Sequence, residues 1–177
     1  MNKTKSELEE IAMSLPAKRI CIETSMADST PYMDRYYVGT TANGGTDVWL
    51  HRIHRQDGRR LHNHPFNARG IVLHGGYLEE LEDRAEWRLP TGDQNSALIH
   101  LAKRGIDELV RDVRVKAHAE QSPFIWHRIA RVLPDTWTLL AVDKERLPYW
   151  YFKDPRDAAA GYTRMTASPR DWWRELL

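Results

Sequence analysis

Residues Leu61–Tyr77 read LHNHPFNARGIVLHGGY, and the rest of the chain is read outward from them. His62 and His64 stand two residues apart. In an extended strand, side chains at i and i+2 share one face, so both imidazoles can reach one metal ion. The apolar run Gly70–Leu73 follows and ends in His74-Gly75-Gly76. Two glycines between strand-like runs predict a hairpin, because both accept positive φ. Tyr77–Leu81, YLEEL, is then the return strand. Its Glu79 and Glu80 alternate, so one of them faces inward; Glu79 is the candidate for acid–base work or for a fourth ligand.

On either side the pattern continues. Asp47–Arg55, DVWLHRIHR, alternates, with Val48, Leu50, Arg52 and His54 on one face and Trp49, His51, Ile53 and Arg55 on the other. Only one of His51 and His54 can face a barrel interior, and His54 is the candidate for moving protons. Ala42–Gly45 and Asp57-Gly58 are turns. Strands are also expected over 18–23, 32–41, 85–89, 122–132, 138–142 and 148–152. Residues 97–104 are read as strand or short helix, with strand preferred, 113–119 as strand, and 24–31 as turn. An N-terminal helix spans 5–15, with Ser6 and Glu9 as a capping box. A C-terminal helix starts at Ser168-Pro169. Roughly nine to eleven short strands, with helices only at the ends, predict one all-β domain, an antiparallel sandwich or barrel with its core over about 32–153.

Composition narrows the function classes. The 26 basic and 25 acidic residues balance to +1, which gives no ground for a nucleic-acid or membrane partner. No apolar run is long enough for a membrane-spanning helix. The single cysteine, Cys21, excludes an internal disulfide and fits a reduced, cytoplasmic setting. There is no nucleophile elbow, no phosphate-binding glycine loop and no Cys-x-x-Cys.

A third metal ligand must come from elsewhere, and His127 in Phe124-Ile125-Trp126-His127-Arg128-Ile129 is the best placed. Gly58, then His62-Asn63-His64, then Gly75, with Pro123 and His127 later, resembles the two motifs of the cupin superfamily, the small jelly-roll barrels. The resemblance covers roughly residues 32–153. It implies a jelly-roll fold and a mononuclear metal held by His62, His64 and His127. The family's glutamate would fall near Ala68 or Arg69, and neither is a carboxylate. The implied site is therefore three histidines, open to water, a small or carrier-bound substrate, dioxygen or a bidentate 2-oxoacid. Iron(II) and oxygenase chemistry follow from the resemblance; imidazoles alone also suit Zn, Ni, Mn and Cu. Arg69 is the candidate to pair with an anionic substrate, Asn67 to support a ligand, and Arg52, Arg55, Arg59 and Arg60 to recruit anions. The other readings are a non-catalytic barrel that binds a small ligand, and a metal-assisted isomerase or lyase. Cupins often pair through edge strands, so the resemblance is compatible with a homodimer; the alternative is a monomer whose N-terminal helix caps that edge.

Overall fold

The computed structural model describes residues 3–25, 28–57, 60–92, 95–117, 119–153 and 162–166. In chain order the elements are α1 (Lys3–Met13), β1 (Ala17–Ser25), β2 (Asp28–Thr40), β3 (Thr46–Ile53), β4 (Leu61–His62), β5 (Phe66–His74), β6 (Tyr77–Leu81), β7 (Ala85–Arg88), α2 (Asn95–Lys103), α3 (Ile106–Lys116), β8 (Ala119–Gln121), β9 (His127–Val132), β10 (Thr136–Arg146), β11 (Tyr149–Lys153) and β12 (Tyr162–Thr166).

Among the described residues twelve strands form two antiparallel sheets, ordered β1-β2-β3-β10-β5-β8 and β12-β11-β4-β9-β6-β7. The pairings β6·β7, β5·β8, β4·β9 and β3·β10 are nested one inside the next. They describe one long two-stranded ribbon, folded so that successive pairs fall alternately into the two sheets. That is the jelly-roll arrangement, a form of the antiparallel sandwich or barrel that the strand pattern predicted and the one that the family resemblance implied.

Four local expectations are corrected. Residues 97–104 and 113–119 are not strands; α2 and α3 lie there, inside the sequence rather than at its ends. Leu109, Val110 and Val113 have the i, i+1, i+4 spacing of a helix face and are buried together. Asp107 and Glu108 in the first turn and Arg114 and Lys116 in the last complement the helix dipole. The turn expected over 24–31 is largely strand: β2 begins at Asp28, and Pro31 is accommodated opposite Cys21 at a register shift. Helix α1 begins before Ser6, which therefore lies within it instead of capping it. Finally, Gly75-Gly76 does not close a hairpin. Strands β5 and β6 belong to different sheets, and the glycines turn the corner between them. Gly75 has φ +69°, and a Cβ there would lie 2.6 Å from Thr136 Oγ1. The Thr136 hydroxyl fills the corner instead, accepting from the Gly76 N–H at 3.0 Å. Gly58 and the helix expected after Ser168 lie outside the described residues.

The outer face of the first sheet carries the main core. Val48, Leu50, Ile71, Leu73, Trp137, Leu139 and Ala141 pack against Leu8, Ala97, Leu101, Leu109 and Val113 of the three helices. Between the sheets the apolar contacts divide. Met33, Ile53, Val72, Tyr77 and Ile129 form one cluster, and Trp49, Ala68, Leu140 and Val142 another. The polar residues described next lie in the interior with these clusters.

Candidate metal centre

His62 is the second residue of the two-residue strand β4. It is paired with His127 on one side and Phe152 on the other. Asn63, between the two histidines, points the opposite way and latches the chain. Its amide donates to Pro123 O at 2.8 Å, and its carbonyl accepts from the Tyr151 N–H at 2.8 Å. This fixes β4 against β11 and against the loop that leads into β9. The His64 N–H donates to Ser122 O at 3.3 Å. The His-x-His spacing and the Ser122–His127 segment, 63 residues apart at the ring contact, are thus tied together by backbone and amide bonds.

The three rings converge. His62, His64 and His127 each offer a nitrogen, all within 4.8 Å of one another. His64 Nε2 and His127 Nε2 are 2.8 Å apart, and the ring centroids of the three lie 4.9–5.1 Å apart. His127 is 3% exposed and His62 9%. Trp150 and Phe152 stand edge-on to His62, and Phe66 lies beside His64.

Glu79 faces inward, as the alternation predicted, and is 1% exposed. It lies diagonally across the β6·β9 ladder from His127. Its Oε1 is 2.6 Å from His127 Nδ1, and its Oε2 accepts from Arg88 Nε at 2.7 Å. Both oxygens are occupied, so Glu79 orients His127 and does not act as a fourth ligand. The carboxylate accepts from Nδ1–H, which leaves the Nε2 lone pair aimed at the cluster. Burial would raise the Glu79 carboxyl, but the hydrogen bonds and charges of His127 and Arg88 outweigh it and hold it below its usual range.

The environment disfavours protonation of two of the three rings. Burial pushes His62 down to about 4. His64 also lies well below its ordinary value, through burial first and then through the neighbouring His127 and His62. Neutral imidazoles are what a divalent metal requires of its ligands. With three converging nitrogens, His62 and His64 biased to the neutral form and a carboxylate behind His127, the residues fit a transition ion.

The remaining sequence candidates lie elsewhere. His54 falls beyond the end of β3, with Nε2 2.8 Å from Asp34 Oδ2, and Asp34 is also held by Arg19. On β3 it is His51, next to buried Trp49, that turns toward the barrel interior. Arg69 is exposed, faces outward and lies 3.9 Å from Glu120. It lines a surface groove of about 720 Å3 that holds none of the three histidines. Asn67 is exposed. Arg52 pairs with Glu9 and Asp135 on the outer side, whereas Arg60 lies over the Phe152 ring beside the cluster. Arg59 lies outside the described residues.

The interior row Arg35, His51 and Thr138 was not anticipated. Register places them side by side across β2, β3 and β10. The signal was ambiguous: on β2, Met33, Arg35 and Tyr37 share one face and Asp34, Tyr36 and Val38 the other, so each face carries one charge.

The nested ribbon, with its histidines on the inner faces of β4 and β9, decides the fold type. The fold is cupin-like. No family model and no curated protein matches the chain. Among solved structures the cupin-like chain is similar to Rru_A2000 from Rhodospirillum rubrum, a cupin-2 domain, at 10% identity, with 89% of this chain and 78% of that one covered and a TM-score of 0.49. It is similar to SPO2919 from Silicibacter pomeroyi, a sugar phosphate isomerase of the cupin superfamily, at 15% identity, 90% and 94% coverage and a TM-score of 0.44. It is also similar to the cupin-like tm1010 of Thermotoga maritima, at 13% identity, 90% and 94% coverage and a TM-score of 0.36. No helix of the described residues is long and apolar enough to cross a membrane.

Proposed function

We propose that this protein is a mononuclear metal-dependent enzyme whose ion is held by His62, His64 and His127, and that it carries out iron(II)-dependent oxygen chemistry on a small anionic substrate. The observation that supports it is the convergence of three ring nitrogens within 4.8 Å, with Glu79 behind one of them. Iron and dioxygen are carried by the cupin resemblance; the imidazoles alone do not choose the metal. When bound, the metal supplies Lewis acidity and, if iron, one-electron redox chemistry. The chain's own residues do the rest. Glu79 holds the His127 tautomer. Trp150, Phe152 and Phe66 wall the cluster and limit water around it. Three neutral ligands leave the charge of a divalent ion uncancelled, and Arg88 offsets the Glu79 charge, so the interior favours an anion.

The test is elemental analysis of untagged protein purified without oxygen, followed by oxygen uptake with a panel of small carboxylic acids. About one equivalent of iron is expected, lost in His62→Ala and His127→Ala while the fold is kept. Absence of any metal after reconstitution would sink the enzyme reading. Turnover supported by several divalent ions without oxygen would replace oxygenase by isomerase or lyase. Ligand binding that survives chelation, with no turnover, would leave a binding barrel.

A further inference from the structure

Arg35 lies on the inner face of β2, between Met33 and Tyr37, where its neighbours across the ladder are His51 and then Thr138. Its guanidinium stands 4.9 Å from the Trp49 ring and donates from Nε to His51 Nε2 at 3.2 Å. A guanidinium has five N–H donors in a rigid fork. With Nε directed at His51, the outer edge of the fork, the edge that matches a two-oxygen anion, meets no protein acceptor among the described residues.

Other arginines of the barrel show how unusual this is. Arg88 is paired with Glu79, Arg128 with Glu80, and Arg19 with Asp34. Among the described residues no carboxylate pairs with Arg35. The second charge in its surroundings is of the same sign: Arg146, placed over the Phe66 ring. Burial, and then Arg146, pull the Arg35 guanidinium down to about 10. A guanidinium set in this interior without a paired carboxylate opposes folding, and a bound anion would offset that cost. Thr138, beside His51, has a buried hydroxyl with no hydrogen-bond partner. His51 is held neutral, by burial first and then by Arg35, so it can accept from Arg35. The row also neighbours the histidine cluster, since both Arg35 and His51 act on His64.

We propose that Arg35, flanked by His51 and Thr138, is an oxyanion-binding subsite inside the barrel, which receives a carboxylate or phosphate group of a small ligand beside the three-histidine cluster. The fork of Arg35 binds two oxygens of the anion, the Thr138 hydroxyl donates to one of them, and His51 fixes the orientation of the guanidinium. As the recognition element for the substrate this deepens the enzyme reading given above and, in that role, rests on it; the subsite itself needs no metal.

The experiment is calorimetric titration of chelator-treated protein with succinate and, separately, with inorganic phosphate, in wild type, Arg35→Lys, Arg35→Met and His127→Ala. Wild type is expected to bind at least one of the two anions at one site, and which one identifies the group. Arg35→Met is expected to weaken binding by tenfold or more, about what the loss of a charged hydrogen-bond pair does. Arg35→Lys should fall between, because it keeps the charge and loses the fork. His127→Ala should bind the anion as wild type does. Arg35→Met replaces a buried charge by an apolar chain of similar length, and its melting temperature should not fall. If it fails to fold, the wild-type-to-lysine difference carries the test. Undiminished binding in the Arg35 variants, or no binding of either anion by wild type, would overturn the subsite. Loss of metal binding with anion binding intact would overturn the enzyme reading and leave the subsite standing.

Discussion

On the outer side of the first sheet, Leu50, Leu139 and Trp137 meet Leu101, Leu109 and Val113 of the helices in one continuous cluster. On the inner side of the same strands, the apolar contacts fall into two clusters, and Arg35, His51 and Thr138 stand on that face. The same backbone therefore serves two different demands. The outer face buries area, which is where the stability of a domain of this size comes from. The inner face is lined in part by groups whose burial opposes folding. A barrel with a helix layer on one sheet can tolerate a costly interior because its core lies elsewhere.

That comparison can be broken in several ways. Leu139→Ala, at a fully buried outer position, should cost about 3 kcal/mol of unfolding free energy. Urea unfolding would measure it, and metal content per folded molecule should not change. A similar loss from an inner-face truncation such as Val142→Ala, with no change in ligand binding, would erase the distinction between the faces.

Acid should act on the inner side. The unfolded chain protonates His62 near its ordinary value of about 6.5, whereas the folded chain does so only near 4. Between those values the unfolded state holds more protons, so the stability of metal-free protein should fall as pH falls through that window. The full effect is of order 3 kcal/mol. Melting temperatures between pH 7 and pH 4 would show it, and His62→Gln should make the curve shallower, leaving the part that His64 and His51 contribute.

Glu79→Gln keeps an acceptor for His127 and removes the charge. Metal affinity should drop about 10–100-fold, read by competition with a chromophoric chelator; an unchanged affinity would mean that Glu79 only neutralises Arg88. The smallest effect belongs to Arg69→Ala. An exposed arginine, far from ideal pairing with Glu120, should change stability by less than about 0.5 kcal/mol. It should leave both metal and anion binding as they are. A large loss of anion binding would return Arg69 to the role its position in the sequence suggested.

Much of this was legible in the sequence. The two-residue period of β3, β5 and β6 announced strands with two distinct faces, and His-x-His before a glycine corner announced two of the three converging rings. His127 could be joined to them only through the family resemblance, because nothing local to Ser122–His127 says that it lies beside β4. For α2 the sequence left strand and short helix both open, with strand preferred, and α3 was missed because alternation from Val113 onward favoured strand. The deciding fact, that Leu101 and Leu109 have a sheet face to cover, is tertiary. Gly75-Gly76 was recognised as a turn, but its partner Thr136 sits far along the chain, so corner and hairpin looked alike. His54 was preferred over His51 because alternation gives two faces without saying which is inside.

The nested pairing has a consequence in time. The link between β6 and β7 is a tight turn closed by the Leu81 N–H to Arg84 O bond, so that pair can form from local chain alone. The pairs outside it must close progressively longer loops, each at a greater entropic cost. The single β4·β9 contact, His62 to His127, is next to the outermost. On that ground the histidines should meet late on the path to the native state. A metal held there, as proposed above, would then be no nucleus for folding. It should leave the refolding rate unchanged and slow only unfolding, acting as a lock on a finished barrel.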